Sequence, residues 1–277
     1  MSLCYLDGVF LPLAEAKVSV LDRGFIFGDG VYEVIPVFGR RVLRLAEHLA
    51  RLERSLAAVG IVNPLSPAQW AEIVERLLAA QAGDDFTVYL QLTRGVAPRL
   101  HQPPVGLLPT VFAMLTPLAP IDPMIAVTAI THEDFRWQRC DIKSISLLAN
   151  VLLRQAATAA GAAEAILVRD GLVTEGAASN VFVVVDGRLR TPPLSRYLLP
   201  GITRDLLIER FAGGPDAVLE TDITAAELRR ADEIFLTSSG RELTPVSHLD
   251  GQPVGSACPG PVFGRVVQRY AEFKAHA

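Results

Sequence analysis

Three short stretches hold side chains whose types and neighbours could do chemistry. In Asp141-Ile142-Lys143-Ser144-Ile145 a lysine sits between apolar residues, in a chain whose other lysines are Lys17 and Lys274. Taking an amine out of water lowers its pKa and makes it a usable nucleophile and proton carrier. The plainer alternative is a lysine that snorkels at a helix start. In Thr174-Glu175-Gly176-Ala177-Ala178-Ser179-Asn180 a carboxylate lies in a polar turn after a strand. It could face the same cavity as the lysine, or stay in solvent. In Arg99-Leu100-His101, held between Pro98 and Pro103-Pro104, two basic groups on alternate positions of an extended segment point the same way. Such a pair is a natural carboxylate trap, where a solvated basic loop would otherwise stand.

Two further stretches could seat an anion. Leu198-Leu199-Pro200-Gly201-Ile202-Thr203-Arg204 opens a helix, whose first N–H groups and threonine hydroxyl suit a phosphate. Ser238-Ser239-Gly240-Arg241 is a polar turn after an apolar strand and could add donors. The His132-Glu133 pair has no second histidine one turn on, so no zinc helix, and no metal, is expected.

The elements that must position these groups follow from periodicity. Cys4 to Pro12 reads as a hairpin turning at Asp7-Gly8. Asp22 to Glu33 carries closely spaced glycines and marks tight backbone. Leu45, Leu49, Leu52, Leu56 and Val59 repeat at helical spacing with Gly60 as the stop; His48 and Arg51 flank that stripe, where an arginine is ordinarily solvated. Ser66-Pro67 starts a helix reaching about Gln81. Phe86–Arg94 and Val111–Leu115 read as strands, and the proline-rich Thr116–Pro123 as an interdomain linker. Beyond it come strands at Ile125–Ile130, Glu164–Arg169, a hairpin over Val181–Arg190 and Glu233–Thr237, with helices over Leu147–Ala160, Thr224–Arg230 and Pro261–Lys274.

Composition narrows the class. At 277 residues, half of them hydrophobic and a fifth charged, the chain is long enough for two domains or one large one. A net charge of −4 with no basic tract offers nothing to nucleic acid. No apolar run approaches the roughly 20 residues of a membrane span. Met1–Asp7 has neither a basic leader nor a secretory core, so no targeting segment is expected. Cys4, Cys140 and Cys258 are odd in number and far apart. They suit free thiols in a reducing, cytoplasmic compartment.

Asp141-Ile-Lys143-Ser144, Asn150, Glu175-Gly-Ala-Ala-Ser179-Asn180-Val-Phe182 and Leu199-Pro-Gly201-Ile-Thr203-Arg204 together resemble the fold-type IV pyridoxal 5'-phosphate (PLP) enzymes, in order, over nearly the whole chain from Leu6 to about Gly251. That family holds branched-chain aminotransferases, D-amino acid aminotransferases and aminodeoxychorismate lyases. The resemblance implies an α/β (α+β) fold. A small N-terminal α/β domain over 1–116 would be joined by a loop over 117–131 to a larger domain over 132–277, built on a barrel-like sheet. PLP would sit between the domains of a homodimer. Lys143 would hold PLP as a Schiff base and later move the proton, and Glu175 would bond the pyridine nitrogen. Arg51, the last residue of Glu47-His48-Leu49-Ala50-Arg51, would clamp the phosphate with Ile202, Thr203, Ser238 and Ser239; its planar fork suits that task. Leu199 would pack on a ring face, and Tyr32, Arg99 and His101 would address the substrate carboxylate.

The Arg-x-His loop resembles the D-amino acid branch. The expected reaction is therefore transfer of the amino group of a D-alanine-like donor to a 2-oxo acid such as 2-oxoglutarate. An L-branched-chain aminotransferase, an aminodeoxychorismate lyase and a non-catalytic PLP-binding protein are the alternatives. Two positions depart from the pattern: Pro36, where a better-known branch of D-enzymes has a lysine, and Gly240, where a hydroxyl residue often sits.

Overall fold

The computed structural model describes residues 2–214, 217–256 and 258–276. The chain forms two compact units: residues up to Pro120 together with Ile142–Ser146, and Ile121–Asp141 together with Leu147–Ala277. The proline-rich linker thus begins inside a strand that runs through Pro117. The segment carrying Lys143 folds with the first unit, not with the residues on either side of it.

The first unit contains β1 (Leu3–Leu6), β2 (Val9–Pro12), α1 (Arg23–Phe27), β3 (Gly30–Phe38), β4 (Arg41–Val42), α2 (Leu45–Val59), α3 (Pro67–Ala79), β5 (Phe86–Thr93) and β6 (Thr110–Pro117). Its six strands form one antiparallel sheet in the order β2-β1-β6-β5-β3-β4. Alternation along β5 buries Phe86, Val88, Leu90 and Leu92 on one face. They pack on Leu52 and Leu56 of α2 and on Trp70, Val74 and Leu77 of α3. Truncating Leu52, which is wholly buried, to alanine should cost about 2–5 kcal/mol. The ends of the helices are written locally. Gly60 takes a left-handed φ of 67° to close α2, and Ser66 and Gln69 form a capping box at α3. Residues 142–146 run back along the start of β3. Tyr32 N donates to the Lys143 carbonyl (3.0 Å) and Ile145 N to that of Gly30 (3.1 Å).

The second unit contains β7 (Val127–Glu133), α4 (Leu148–Ala159), β8 (Glu164–Arg169), β9 (Leu172–Gly176), β10 (Asn180–Val185), β11 (Arg188–Thr191), α5 (Ile202–Phe211), β12 (Leu219–Glu220), α6 (Ala225–Arg229), β13 (Glu233–Ser238), β14 (Glu242–Leu249), β15 (Gln252–Pro253) and α7 (Pro261–His276). The sheet runs β12-β11-β10-β13-β14-β7-β8-β9, with β15 paired to β14. β9 is an edge of that order, yet only Ala177–Ser179 separate it from β10, across β13, β14, β7 and β8. The four Cα steps from Gly176 to Asn180 span at most ~14 Å, so the sheet must curl on itself into a half-barrel. One face packs on α5 and α7 through Phe182, Phe235, Leu206, Leu207, Phe263 and Val266. Among the described residues no helix is long and apolar enough to cross a membrane.

Candidate active site

In the first unit Lys143 is held by its backbone at both sides. Its N–H donates to Ser55 Oγ (3.2 Å) and its carbonyl accepts from Tyr32. Its side chain is half-buried, with Nζ 4.2 Å from the centroid of the Tyr32 ring, a cation–π contact. No described carboxylate forms an ion pair with this amine. The Tyr32 ring leans on Tyr89 at 5.8 Å, and burial, with Tyr32 beside it, pushes the Tyr89 hydroxyl up to about 12.

Arg51 has a partner that local sequence reasoning did not assign to it. β3 directs Glu33 onto its buried face with Val31 and Ile35, and α2 carries His48 and Arg51 three residues apart, on one side of the helix. Arg51 Nε and Nη2 reach the two Glu33 oxygens at 2.7 and 2.8 Å, and His48 Nδ1 lies 2.8 Å from Oε2. Burial alone would raise the Glu33 carboxyl, but the charge and hydrogen bonds of Arg51, with His48, hold it down to about 2. His48 is lowered, first by burial and then by the charges of Arg51 and Lys143, against the pull of Glu33.

Arg99 and His101 stand on an exposed loop and converge on one ring. The Arg99 guanidinium lies 5.5 Å from the Phe27 centroid and the His101 ring 5.7 Å from it. Pro36, in β3 opposite Thr87, is part of the same sheet.

In the second unit Glu175 lies on β9, not in the turn that follows it. It is buried and takes hydrogen bonds from Arg136 Nη1, from Leu199 N (2.9 Å) and from Asn180 Nδ2 (3.3 Å). Arg136 is in turn held by Asp134 through Nε (2.9 Å) and Nη2 (3.0 Å). Arg169 also reaches Asp134 at 3.2 Å, and Thr174 Oγ1 donates to it at 3.0 Å. Burial pushes the Glu175 carboxyl up to about 7; Arg136 and the Leu199 N–H oppose the rise and Asp134 adds to it. Arg136 was missed from the sequence. Its spacing from Asp134, two apart on an extended stretch, was the available signal.

Leu199 is tied to Glu175 by its N–H and to Asn180 by its carbonyl (2.8 Å). Gly201 caps α5, and a Cβ there would run into the Asn180 amide. Ile202 and Thr203 are buried in the first turn of that helix. Thr237 shares a face of β13 with Phe235, the face packed toward α5, and its buried hydroxyl has no partner among the described residues. Ser238 points the other way. Its Oγ accepts from Arg241 N (3.1 Å), and it lines a cavity of about 200 Å³ with Arg154, Glu164, Ser179, Arg241 and Thr244. Ser239 and Gly240 are half-buried, and a side chain at Gly240 would meet open space.

These donors fit PLP unit by unit. Two carboxylate oxygens offer about four acceptor positions, and Glu175 uses three, leaving room for a ring N–H. The Thr237 hydroxyl, unpartnered among the described residues, and the start of α5, which has no side-chain cap, are the kind of donors a phosphate needs. The unpaired Lys143 amine is the nucleophile an aldehyde needs.

Residues 30–249 match the family model for amino-transferase class IV. A D-alanine aminotransferase from Bacillus licheniformis is 43% identical over 258 residues, covering 92% of this chain and 91% of that protein. Among solved structures, a branched-chain amino acid aminotransferase from Escherichia coli aligns with a TM-score of 0.90 at 26% identity, over 98% of this chain and 94% of that one. A hypothetical aminotransferase from Mycobacterium tuberculosis, in its PLP-bound form, aligns with a TM-score of 0.83 at 25% identity, over 96% of this chain and 97% of that one. The two-unit fold, the lysine on its strand-like return and the buried carboxylate on β9 therefore belong to a class IV aminotransferase.

Proposed function

We propose that this aminotransferase moves the amino group of a D-amino acid, D-alanine or a similarly small donor, to a 2-oxo acid such as 2-oxoglutarate, with PLP carried on Lys143. The family implies the cofactor. When bound, it supplies an electron-accepting ring conjugated to the substrate nitrogen. Lys143 holds it and, once its amine is freed, moves the proton at the substrate Cα. Glu175 would hold the ring nitrogen and keep a proton there. Arg51, set by Glu33, holds the phosphate together with the start of α5 at Ile202 and Thr203 and the turn at Ser238 and Ser239. Leu199 would pack against the cofactor ring. Tyr32, Arg99 and His101 take the substrate carboxylate.

The observation that carries the D preference is the convergence of Arg99 and His101 on Phe27. A carboxylate fixed on one side of the pocket decides which way the Cα hydrogen points, and one lysine reaches it from one ring face only. Charge-assisted hydrogen bonds from this pair suit an α-carboxylate. The 43% identity to a D-alanine aminotransferase supports the same reading.

We further propose a homodimer. Val18, Val20, Phe25, Leu100, Val105 and Leu108 are exposed apolar side chains of the first unit, and a second copy would cover such a surface. Free thiols at Cys4, Cys140 and Cys258 support a cytoplasmic location.

The test is a single-donor half-reaction followed by the cofactor's visible band. D-alanine should bleach it far faster than L-leucine or L-valine; the reverse order would replace this reading with a branched-chain one. Borohydride should fix the cofactor to the peptide containing Lys143, and Lys143→Ala should abolish turnover.

A further inference from the structure

The turn that opens the glycine-rich stretch supplies Phe27, and it is built around a buried cation to which the reaction proposed above gives no role. Arg23, the first residue of α1, is almost wholly buried. Its Nε donates to Asp29 Oδ2 (2.8 Å), its Nη1 to the Leu100 carbonyl (2.6 Å) and its Nη2 to the His101 carbonyl (3.2 Å). Its guanidinium also lies 4.8 Å from the Phe27 centroid, so Phe27 meets Arg23, Arg99 and His101.

Asp29 is itself anchored. Arg94 reaches it through Nε (2.8 Å) and Nη2 (2.9 Å), and donates to the carbonyls of Val59 (2.7 Å) and Gly60 (2.9 Å) at the end of α2. The turn closes on Gly28 at a φ of 66°, where a Cβ would meet Ser146 Oγ at 2.6 Å. A rigid helix end is thereby connected through Arg94, Asp29 and Arg23 to two carbonyls of an otherwise exposed loop.

We propose that Arg23 is a positioning residue for substrate: by gripping the carbonyls of Leu100 and His101 it fixes the peptide planes from which Arg99 and His101 project, and so the geometry of the carboxylate-binding pair. This rests on the assignment of that pair made above. A planar fork that reaches two carbonyls and a carboxylate at once is a task for arginine; a lysine offers one point charge and cannot hold all three. Among the described residues the loop's other backbone hydrogen bonds between Ala97 and His101 are Ala97 N to the Leu21 carbonyl (3.2 Å) and, within the loop, Leu100 N to the Pro98 carbonyl (2.7 Å), so the direction of its tip depends on this grip.

The experiment compares Arg23→Lys, Arg99→Ala and the double variant as holoenzymes, with D-alanine as donor. Arg23→Lys should raise the D-alanine KM by about tenfold or more with kcat changed much less, the signature of lost binding rather than lost chemistry. It should add little further in the Arg99→Ala background, because both changes act on one interaction. Hydrogen exchange of the Leu100 amide should also speed up in Arg23→Lys while the amides of β5 keep their protection. A KM within twofold of the parent, or an equal rise in both backgrounds, overturns the proposal. An Arg99→Ala variant with unchanged KM overturns the carboxylate assignment itself and this proposal with it, and only in that case is Arg99→Ala silent. Should Arg23→Lys fail to fold, Arg23→Gln, whose amide can still donate to one carbonyl, is put through the same comparison.

Discussion

Two buried carboxylates each meet an arginine, and they end in opposite states. Glu33 takes two nitrogens of Arg51 as well as His48, and although burial works against it the carboxyl is held down to about 2. Glu175 takes one nitrogen of Arg136, and burial carries it up to about 7. The cation is not weaker in the second case; it is shared. Asp134 occupies Nε and Nη2 of Arg136 and stands close enough to repel Glu175. Whether a buried carboxylate is a permanent anion or a titratable one depends on how many charged donors reach it and on whether another anion stands beside it. The consequence is functional. Glu33 is a fixed support for Arg51, whereas Glu175 can exchange a proton near neutrality, as its proposed place beside a ring nitrogen would require.

The sharpest way to break this contrast is to remove Glu33. Glu33→Ala takes away the buried carboxylate that Arg51 and His48 share, and should cost about 3–5 kcal/mol of unfolding free energy, read from urea denaturation at pH 7. A loss under about 1 kcal/mol, the size of an exposed pair, would mean that the ion pair is not what holds α2 against β3. The folded value of Glu33 lies below its ordinary one. Its stabilisation is therefore complete above about 4.5 and should be lost as pH falls toward about 2.

Arg136→Met should behave differently. At pH 8 it strands Glu175 and should cost about 3 kcal/mol, while Asp134 keeps Arg169. At pH 5 Glu175 can take up a proton and the cost should shrink. The sign follows from a folded value raised above the ordinary one: stability is full below about 4.5 and declines as pH rises through about 7. Arg51→Met should cost more at pH 8 than at pH 5, and by a larger margin: the parent's Glu33 is ionised at both, but without Arg51 burial raises it, so the variant takes up a proton at pH 5 and buries a carboxylate at pH 8. Equal pH dependence in the two variants would erase the distinction.

Glu175→Gln tests the titration directly. A protonated carboxyl and an amide are alike in carrying no charge, although the amide nitrogen, unlike the acid's O–H, offers no acceptor to Arg136 or the Leu199 N–H. The variant should therefore follow the low-pH behaviour of the parent and lack its alkaline decline. Between pH 5 and 8 the difference in unfolding free energy should move in the variant's favour by about 2 kcal/mol. Turnover should fall far more than cofactor attachment, since a neutral amide supports a protonated ring nitrogen poorly. Unchanged turnover would remove Glu175 from the reaction.

How far these features could be read from sequence depends on whether the deciding partner is local. The stripe from Leu45 to Val59 with Gly60 behind it, the Ser66–Gln69 box and the Thr224–Glu227 box are local, and α2, α3 and α6 start and stop accordingly. Lys143 and Glu175 were visible as chemistry in their contexts, but not their seats. The run from Ile142 to Ser146 pairs with β3, far away in the chain, and β9 is too short and polar to announce itself before Glu175. Glu33 had a legible signal, since Val31, Ile35 and Val37 share its face and are all buried. What alternation could not supply was the identity of the cation that neutralises it. The same holds for Arg23, whose partners lie at Leu100 and His101.

The smallest effect expected is at Thr174, and it tests whether charge sharing is the cause. Its hydroxyl donates to Asp134 Oδ2 at 3.0 Å inside the second network. Thr174→Val keeps the shape and removes that donor, which should cost about 1 kcal/mol. The informative readout is Glu175, followed by carbon-13 NMR of its carboxyl in the cofactor-free protein. With one donor fewer, the Asp134 anion depends more on Arg136 and Arg169, which leaves less of the Arg136 charge to Glu175. The Glu175 midpoint should therefore move up, although the substitution touches neither Glu175 nor Arg136. If Glu175 were raised by burial alone, the midpoint would stay where it is. A downward movement would mean that Asp134 acts on Glu175 chiefly by repulsion that the hydroxyl had left unscreened, and sharing of Arg136 would no longer explain why the two carboxylates differ.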